Sequence, residues 1–397
     1  MMEKFLKYFL IHWYFLYTTN TVFTIFGLPD FFSLFLLLTM ISGILSLGQM
    51  KWKKVDILVL IAMIYSILSY VFSDYPFILY WADIRSQVSI MFFYFFARSR
   101  FVSSENFYHN FEWVLIITML FGILLYFYPP AWYTSYRYAD ILAEEGSYSF
   151  YEASRMSSFF THPYFLGYGS CFFIIYIVKK IIVDRSDNYI NYILLLLSMF
   201  TLFFAQMRVA IAFILLFFIL LATYNIIFLK NSKFTKFSFL MIPTGVLLFY
   251  FIKINLNVDF LDYILSRSID HESNIVEDRI GMFSYFEKFI SIFGYGLGRF
   301  GHQAVSLKMP SCSDNDYLRS LGELGFVGFG MLLLPIIYSL LIGFLNLRKY
   351  FFETFVVLFF LFAMIGATPL EAVNQHNFLL WFCVGVILTN KQGLKTI

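Results

Sequence analysis

The sequence predicts an all-α, polytopic membrane helix bundle of about twelve spans, and three observations predict it. The chain has 397 residues, of which 60% are apolar, 22% aromatic and only 13% charged, whereas soluble domains are roughly half apolar and a quarter charged. The apolar excess is spread over nearly the whole length in repeated runs near the ~20 residues that a helix needs to cross a bilayer. These runs are continuous, whereas barrel strands alternate over about ten residues, and in lipid only a helix or a closed barrel satisfies its own backbone.

The runs are centred, in order, on 5–26, 31–49, 55–73, 85–99, 112–129, 163–183, 189–205, 209–229, 237–254, 323–346, 352–370 and 377–390. We read 1–397 as one integral membrane domain. The opening "MMEKFLKYFLIHW" carries positive charge and an apolar stretch but no small-residue cleavage site, so it reads as a first span and not as a removed signal. Cys171 and Cys383 fall in spans and Cys312 in a loop. An odd, scattered set gives neither a disulfide framework nor metal-ligand spacing, so no metal is expected.

Charge distribution assigns the sides. "KWKK" at 51–54, "ARSR" at 97–100, Lys179, Lys180 and Arg185, then Lys230, Lys233 and Lys236, and "LRK" at 347–349 fall in alternate short connections. By the positive-inside rule these face the cytoplasm, which with twelve spans puts both termini there as well. Two connections are long, 130–162 and 255–316, and both lie on the opposite face. Loops of that length are functional or disordered. Their aromatic and charged content favours order, and their one-sidedness favours chemistry on the outer face. The halves show no internal repeat of the kind that marks many transporters.

The outer face also collects arginines. Arg208, in "LFFAQMRVAIAF", sits where two spans join with almost no polar loop. An arginine at mid-membrane costs about 2.5–3.5 kcal/mol on insertion scales. It either snorkels to headgroups or binds an anion at the floor of an outward cavity. Arg155 opens "RMSSFFTHPYFLGYGS", in which His162 ends the first long loop and Pro163 suits the first turn of the next helix. Arg279 opens "RIGMFSYFEKFISIFGYGLGRF". There Ile280, Phe283, Phe286, Phe289 and Ile290 share one face, opposite Ser284, Glu287 and Lys288. The pattern fits a short helix in the outer interface or the core helix of a small loop domain. "GYGLG" at 294–298 fits a plain turn better than a phosphate cradle.

The stretch "SCSDNDYLRSLGELGFVG", 311–328, places four charges at the mouth of an apolar span. Gly322, Gly325 and Gly328 recur at every third position, as close helix packing requires. Capping of free N–H groups accounts for one of Asp314 and Asp316, but not for both with Glu323 two turns deeper. Arg319 and Glu323 are spaced i, i+4 for pairing. A carboxylate beside arginines at a membrane mouth is a reasonable general base. Arginine's planar fork grips phosphate oxygens in pairs and keeps its charge, which suits the pyrophosphate of a lipid carrier.

In their order, Arg155 with "FFTHPYFLG", Arg208 ahead of an apolar span, Arg279 ahead of "FGYGLGRF", "DNDYLRSLGELGFVG" and the closing "HNFLLWFCVGVIL" resemble the bacterial O-antigen polymerase family, within the O-antigen ligase/polymerase superfamily. The resemblance covers 155–388. It implies a GT-C-like helical glycosyltransferase in the bacterial inner membrane with a periplasmic active site. The implied reaction transfers a growing glycan from undecaprenyl pyrophosphate onto the next lipid-linked repeat, without metal, cofactor or nucleotide sugar. Donor and acceptor are both undecaprenyl-pyrophosphate-linked oligosaccharides. Membrane lipid and a chain-length regulator are further implied partners, and nucleic acid is not. On this reading Asp314 or Asp316 is the base, and Arg155, Arg208 and Arg279 hold pyrophosphate. His162, Arg299, Tyr317, Arg319, Glu323 and His376 are weaker substrate-contact candidates. Ligases of the superfamily tend to carry histidine where this chain has Asp314, a departure that favours polymerase over ligase. A lipid-linked-oligosaccharide flippase is the rival outside the superfamily.

Overall fold

The structure, a computed structural model, describes residues 2–26, 29–73, 75–99, 101–133, 155–158, 163–186, 188–224, 285–301, 304, 312, 315–367, 369–370 and 376–389. The expected span at 237–254, most of both long loops, and the candidates Asp314, Arg279 and His162 lie outside the described residues. Every regular element among the described residues is helical. In order they are α1 (Met2–Ile11), α2 (Trp13–Ile25), α3 (Phe32–Leu47), α4 (Lys54–Leu68), α5 (Phe77–Asp83), α6 (Ser89–Ser99), α7 (Ser104–Phe127), α8 (Pro163–Ile182), α9 (Tyr189–Ala205), α10 (Arg208–Tyr224), α11 (Asp316–Leu345), α12 (Phe351–Ala363) and α13 (Asn377–Thr389). Two compact units form, 1–211 with 291–397, and 212–290. In the second, the described residues are the remainder of α10 and a turn at 285–290, where Lys288 Nζ lies 4.0 Å from the centre of the Tyr285 ring.

Among the described residues four helices are long and apolar enough to cross a membrane: Lys54–Phe72, which adds a 3₁₀ turn to α4, and α7, α8 and α11. The helices α3, α9, α10, α12 and α13 are apolar but shorter, at 10–17 residues. This composition is compatible with a membrane protein. The run expected at 5–26 divides at His12, yet its backbone ladder continues from His12 N–H to Tyr8 O at 3.1 Å and from Leu16 N–H to His12 O at 2.9 Å. The run expected at 85–99 begins eight residues earlier, because helix starts after Pro76 and crosses a π-helical turn at Ile84–Val88. Asp83, Arg85 and Gln87 interrupt the apolar pattern there and hide the start. The run at 352–370 ends in helix at Ala363, and the chain then turns.

Burial sorts the helices. From Phe378 to Val384 every residue of α13 is buried, as a helix that is apolar all round requires. Its close neighbour is α6: a side chain at Gly385 would meet Tyr94 O at 2.5 Å and Ala97 Cβ at 2.8 Å, and Thr389 Oγ1 donates to Ala97 O at 3.2 Å. By contrast α4 buries Val59, Ala62 and Met63 while Ile57, Ile61, Ile64 and Leu68 stay exposed. An apolar stripe of that length on a free surface has a lipid-facing character.

One end of the first unit is basic and tied by ion pairs. Arg98 grips Asp56 through both nitrogens, Nε to Oδ1 and Nη2 to Oδ2, each at 2.8 Å, and Tyr94 donates to the same carboxylate. Asp56 also accepts the Lys53 N–H at 2.6 Å, so one buried acid caps α4 and docks it on α6. Lys180 reaches Glu112 at 2.6 Å, joining α8 to α7. Asp56→Ala is expected to destabilise the protein by roughly 3–5 kcal/mol, the usual loss when one partner of a buried pair is removed. Denaturant titration in detergent measures it, and Asp56→Ala with Arg98→Met is expected to recover part of the loss.

Candidate functional site

At the opposite end, α11 starts inside the protein and breaks two and a half turns later. Its N-cap is Asn315, whose side chain accepts from Leu318 N–H at 3.0 Å. The Asp316 N–H lies 3.0 Å from Met364 O and 3.1 Å from Ala367 O, in the turn that follows α12. At Gly325 the helix leaves helical geometry, with φ 66° and ψ −177°. Only glycine occupies this region readily.

A break in an apolar helix strands backbone groups, and at membrane depth these must be met from within the protein. Here the segment Ser291–Gly296 meets them. Tyr295 N–H donates to Gly322 O and Gly296 N–H to Glu323 O, each at 2.9 Å. In return Phe326 N–H donates to Ser291 O and Val327 N–H to Ile292 O, each at 3.1 Å. Tyr65 of α4 adds its hydroxyl to Phe293 O at 2.7 Å and Leu324 O at 3.2 Å. The glycine-rich "GYGLG" is therefore a backbone partner of the broken helix, in line with the turn reading.

The first half of α11 carries a buried ionic cluster. Arg319 is only 1% exposed. Its Nε lies 2.7 Å from Asp316 Oδ1, its Nη1 3.0 Å from Glu323 Oε2 and 3.8 Å from Asp83 Oδ2. The other Asp316 oxygen accepts Leu370 N–H at 2.6 Å, and Glu323 Oε1 accepts Phe300 N–H at 3.0 Å. Gln87, on the π-helical turn, donates to Asp83 at 3.2 Å. The cluster thus joins α5, α11, the 294–300 segment and the chain before α13. Such π turns recur at functional sites.

The arginine candidates reach this end through their neighbours. The N–H of Met156, next to Arg155, donates to Phe204 O at 3.0 Å. Ser158 binds Thr118 O at 2.6 Å and receives the Tyr133 hydroxyl at its carbonyl, at 2.9 Å, which fixes 155–158 between α7 and α9. Gln206, in the left-handed region at φ 53°, turns the chain sharply from α9 into α10. Arg208 then opens α10 with an exposed side chain. A side chain at Gly366 would meet Val209 at 3.6 Å, and Gly366 belongs to the turn that receives the Asp316 N–H. Arg155, Arg208 and the start of α11 therefore share one end of the first unit.

The remaining candidates divide. Arg319 and Glu323 join Asp316 in the cluster. Tyr317 donates to Leu361 O at 2.8 Å and fastens α11 to α12. The Arg299 guanidinium stacks 5.2 Å from the Phe300 ring. His376 is fully buried, its Nε2 2.9 Å from the Tyr14 hydroxyl, among Phe165 and Phe172. Sequence reading missed Asp83 and Tyr65. Asp83 carried a usable signal, a carboxylate within an apolar stretch; Tyr65 carried none in a chain with 29 tyrosines. Among the described residues no group of His, Cys, Asp and Glu is arranged to hold a metal ion.

No protein-family model matches the chain, and no curated protein matches it. The site's reading therefore rests on its own geometry.

A Cβ at Gly325 would lie 2.4 Å from Gly294 N, whereas one at Gly330 would meet nothing within 4 Å. Gly325→Ala is expected to lose at least roughly 1–3 kcal/mol from backbone strain alone, and Gly330→Ala none. Thermal unfolding of the purified variants in detergent distinguishes them.

Proposed function

We propose that the protein is an O-antigen-type polysaccharide polymerase, a metal-independent glycosyltransferase of the bacterial inner membrane. It moves a growing glycan from undecaprenyl pyrophosphate onto the next undecaprenyl-pyrophosphate-linked repeat at its periplasmic face. The observation that carries this reading is the gathering, at one end of the helical unit, of Arg155, Arg208 and the buried-charge start of α11. The end that bears Arg98, Lys180 and Lys53 is then cytoplasmic, under the positive-inside rule. Twelve spans and a GT-C-like arrangement belong to the same proposal.

In the proposed reaction an acceptor sugar hydroxyl attacks the anomeric carbon of the donor glycan. The bond from that carbon to the pyrophosphate oxygen breaks, and the leaving group keeps the electron pair. Arg155 and Arg208 hold the diphosphate, where charge grows as the bond breaks, so they favour the transition state over the ground state. The hydroxyl proton goes to a carboxylate. Asp316 is fully buried with both oxygens engaged, which suits an anchor and not a base. We therefore assign the base to Asp314, beside the N-cap. A positioned base contributes about 10²–10⁴-fold.

The interrupted α11 supports a second reading, a lipid-linked-oligosaccharide flippase, because discontinuous helices recur at transporter binding sites. Purified protein supplied with lipid-linked repeats in detergent separates the two: a polymerase lengthens them and a flippase returns them unchanged. Asp314→Asn is expected to slow chain growth by about 10²–10⁴-fold. Arg208→Ala is expected to abolish growth while the protein still inserts, and Arg208→Lys to fail as well if the grip is bidentate. Normal chains from all three variants would refute the assignment.

A further inference from the structure

The basic end carries a groove that the proposed reaction does not use. It has a volume of about 750 Å³ and lies between the start of α4, the second half of α11 and the end of α13. Leu58, Leu334, Ile342 and Leu388 form apolar walls, Tyr338 stands on one of them, and Lys53 and Lys54 occupy one end. Leu334 is 56% exposed and Tyr338 37%, so the groove opens outward from the bundle. From Leu334 to Ile342 the α11 wall rises roughly 12 Å at 1.5 Å per residue. Leu334 precedes Pro335, whose missing N–H leaves the Met331 carbonyl without its helical donor and weakens the helix at the groove's inner limit.

The polar content has one sign. Lys53 Nζ lies 3.3 Å from Leu388 O and 3.5 Å from Thr389 O, so the carbonyl end of α13 holds this cation at the rim. Lys54 is exposed beside it. The nearby acid, Asp56, is fully buried and gripped by Arg98. Trp52, 44% exposed, adds an amphipathic ring of the kind that settles at headgroup level. An apolar trough closed at one end by cations fits a ligand with a hydrocarbon tail and an anionic head, and basic pockets between membrane helices bind such heads. The walls give a free phosphate nothing to contact, and the lysines give a zwitterionic lipid no advantage.

We propose that this groove binds an anionic phospholipid, with its phosphate against Lys53 and Lys54 and one acyl chain along α11 between Leu334 and Ile342. The site is independent of the polymerase reading, since it lies at the other end of the first unit and shares no residue with the ionic cluster.

The test uses the full chain, purified and placed in phosphatidylcholine nanodiscs or detergent. Native mass spectrometry counts retained phosphatidylglycerol against phosphatidylcholine, and thermal melting follows added phosphatidylglycerol, phosphatidylcholine or glycerol phosphate. Phosphatidylglycerol alone is expected to be retained and to raise the melting temperature. Lys54→Gln is expected to weaken that binding about fivefold, the effect of one lysine near an anionic surface. Leu334→Trp fills the trough without changing charge and is expected to abolish retention. Equal binding of phosphatidylcholine, equal stabilisation by glycerol phosphate, or wild-type affinity in Lys54→Gln would each overturn the proposal. Lys54→Gln alters only an exposed side chain, so it decides the matter even where Leu334→Trp fails to fold.

Discussion

A guanidinium among three carboxylates, inside the protein, is the constraint on which the rest of the site depends. Removing such charges from water costs several kcal/mol per ion even after relaxation, and attraction offsets this only when geometry is good and the remaining oxygens find donors. Arg319 meets the first condition with contacts of 2.7 Å to Asp316 and 3.0 Å to Glu323. Phe300 N–H, Leu370 N–H and the Gln87 amide meet the second. Each of those donors belongs to a different segment of chain. The cluster can form only when α5, the 294–300 turn and the approach to α13 have all reached α11, so it reports correct assembly more than it adds stability. That is the better-attested use of buried charge.

The break at Gly325 follows from the same arrangement. Glu323 supplies a carboxylate to the cluster and a main-chain carbonyl to Gly296 N–H two residues before the helix opens. A continuous helix would have spent that carbonyl on Val327 N–H, which instead donates to Ile292 O. The neighbouring segment therefore docks by backbone hydrogen bonds in a place where side chains alone would slide. Tyr65 locks both strands of this exchange at once. The segment 291–296 thus clips together the half of α11 that bears Arg319 and the half that carries Pro335.

How much of this the sequence disclosed depends on the range of the signal. Apolar periodicity is local, and the helices at 163–182, 189–205 and 377–389 stand within a few residues of the runs read for them. The i, i+4 partnership of Arg319 with Glu323 is also local, and its spacing is enough to find it. Asp83 is not local to either: it lies more than two hundred residues away, and only the folded chain brings it within 3.8 Å of Arg319. Gly325 read as a packing glycine because spacing by three cannot distinguish a small residue needed for close approach from one needed for a positive φ. Length is hard to read where polar residues interrupt a helix without ending it, as at Asp83 and Gln87: Asp83 faces Arg319 from elsewhere in the fold, and Gln87 bonds Asp83 one turn back.

Of the two aspartates of "DNDYL", the fold commits Asp316. The side chain of Asp316 is committed on one oxygen to Arg319 and on the other to Leu370 N–H, while its own N–H is taken by the turn after α12. A general base must take up a proton from the substrate and later release it, and a carboxylate so engaged would have to dismantle the cluster to do so. Asn315 is occupied as well, as the cap that starts the helix. Three adjacent residues thus divide into an anchor, a cap and Asp314. Asp316 fixes where the helix begins and Asn315 caps it, which under the proposed function leaves the proton to Asp314.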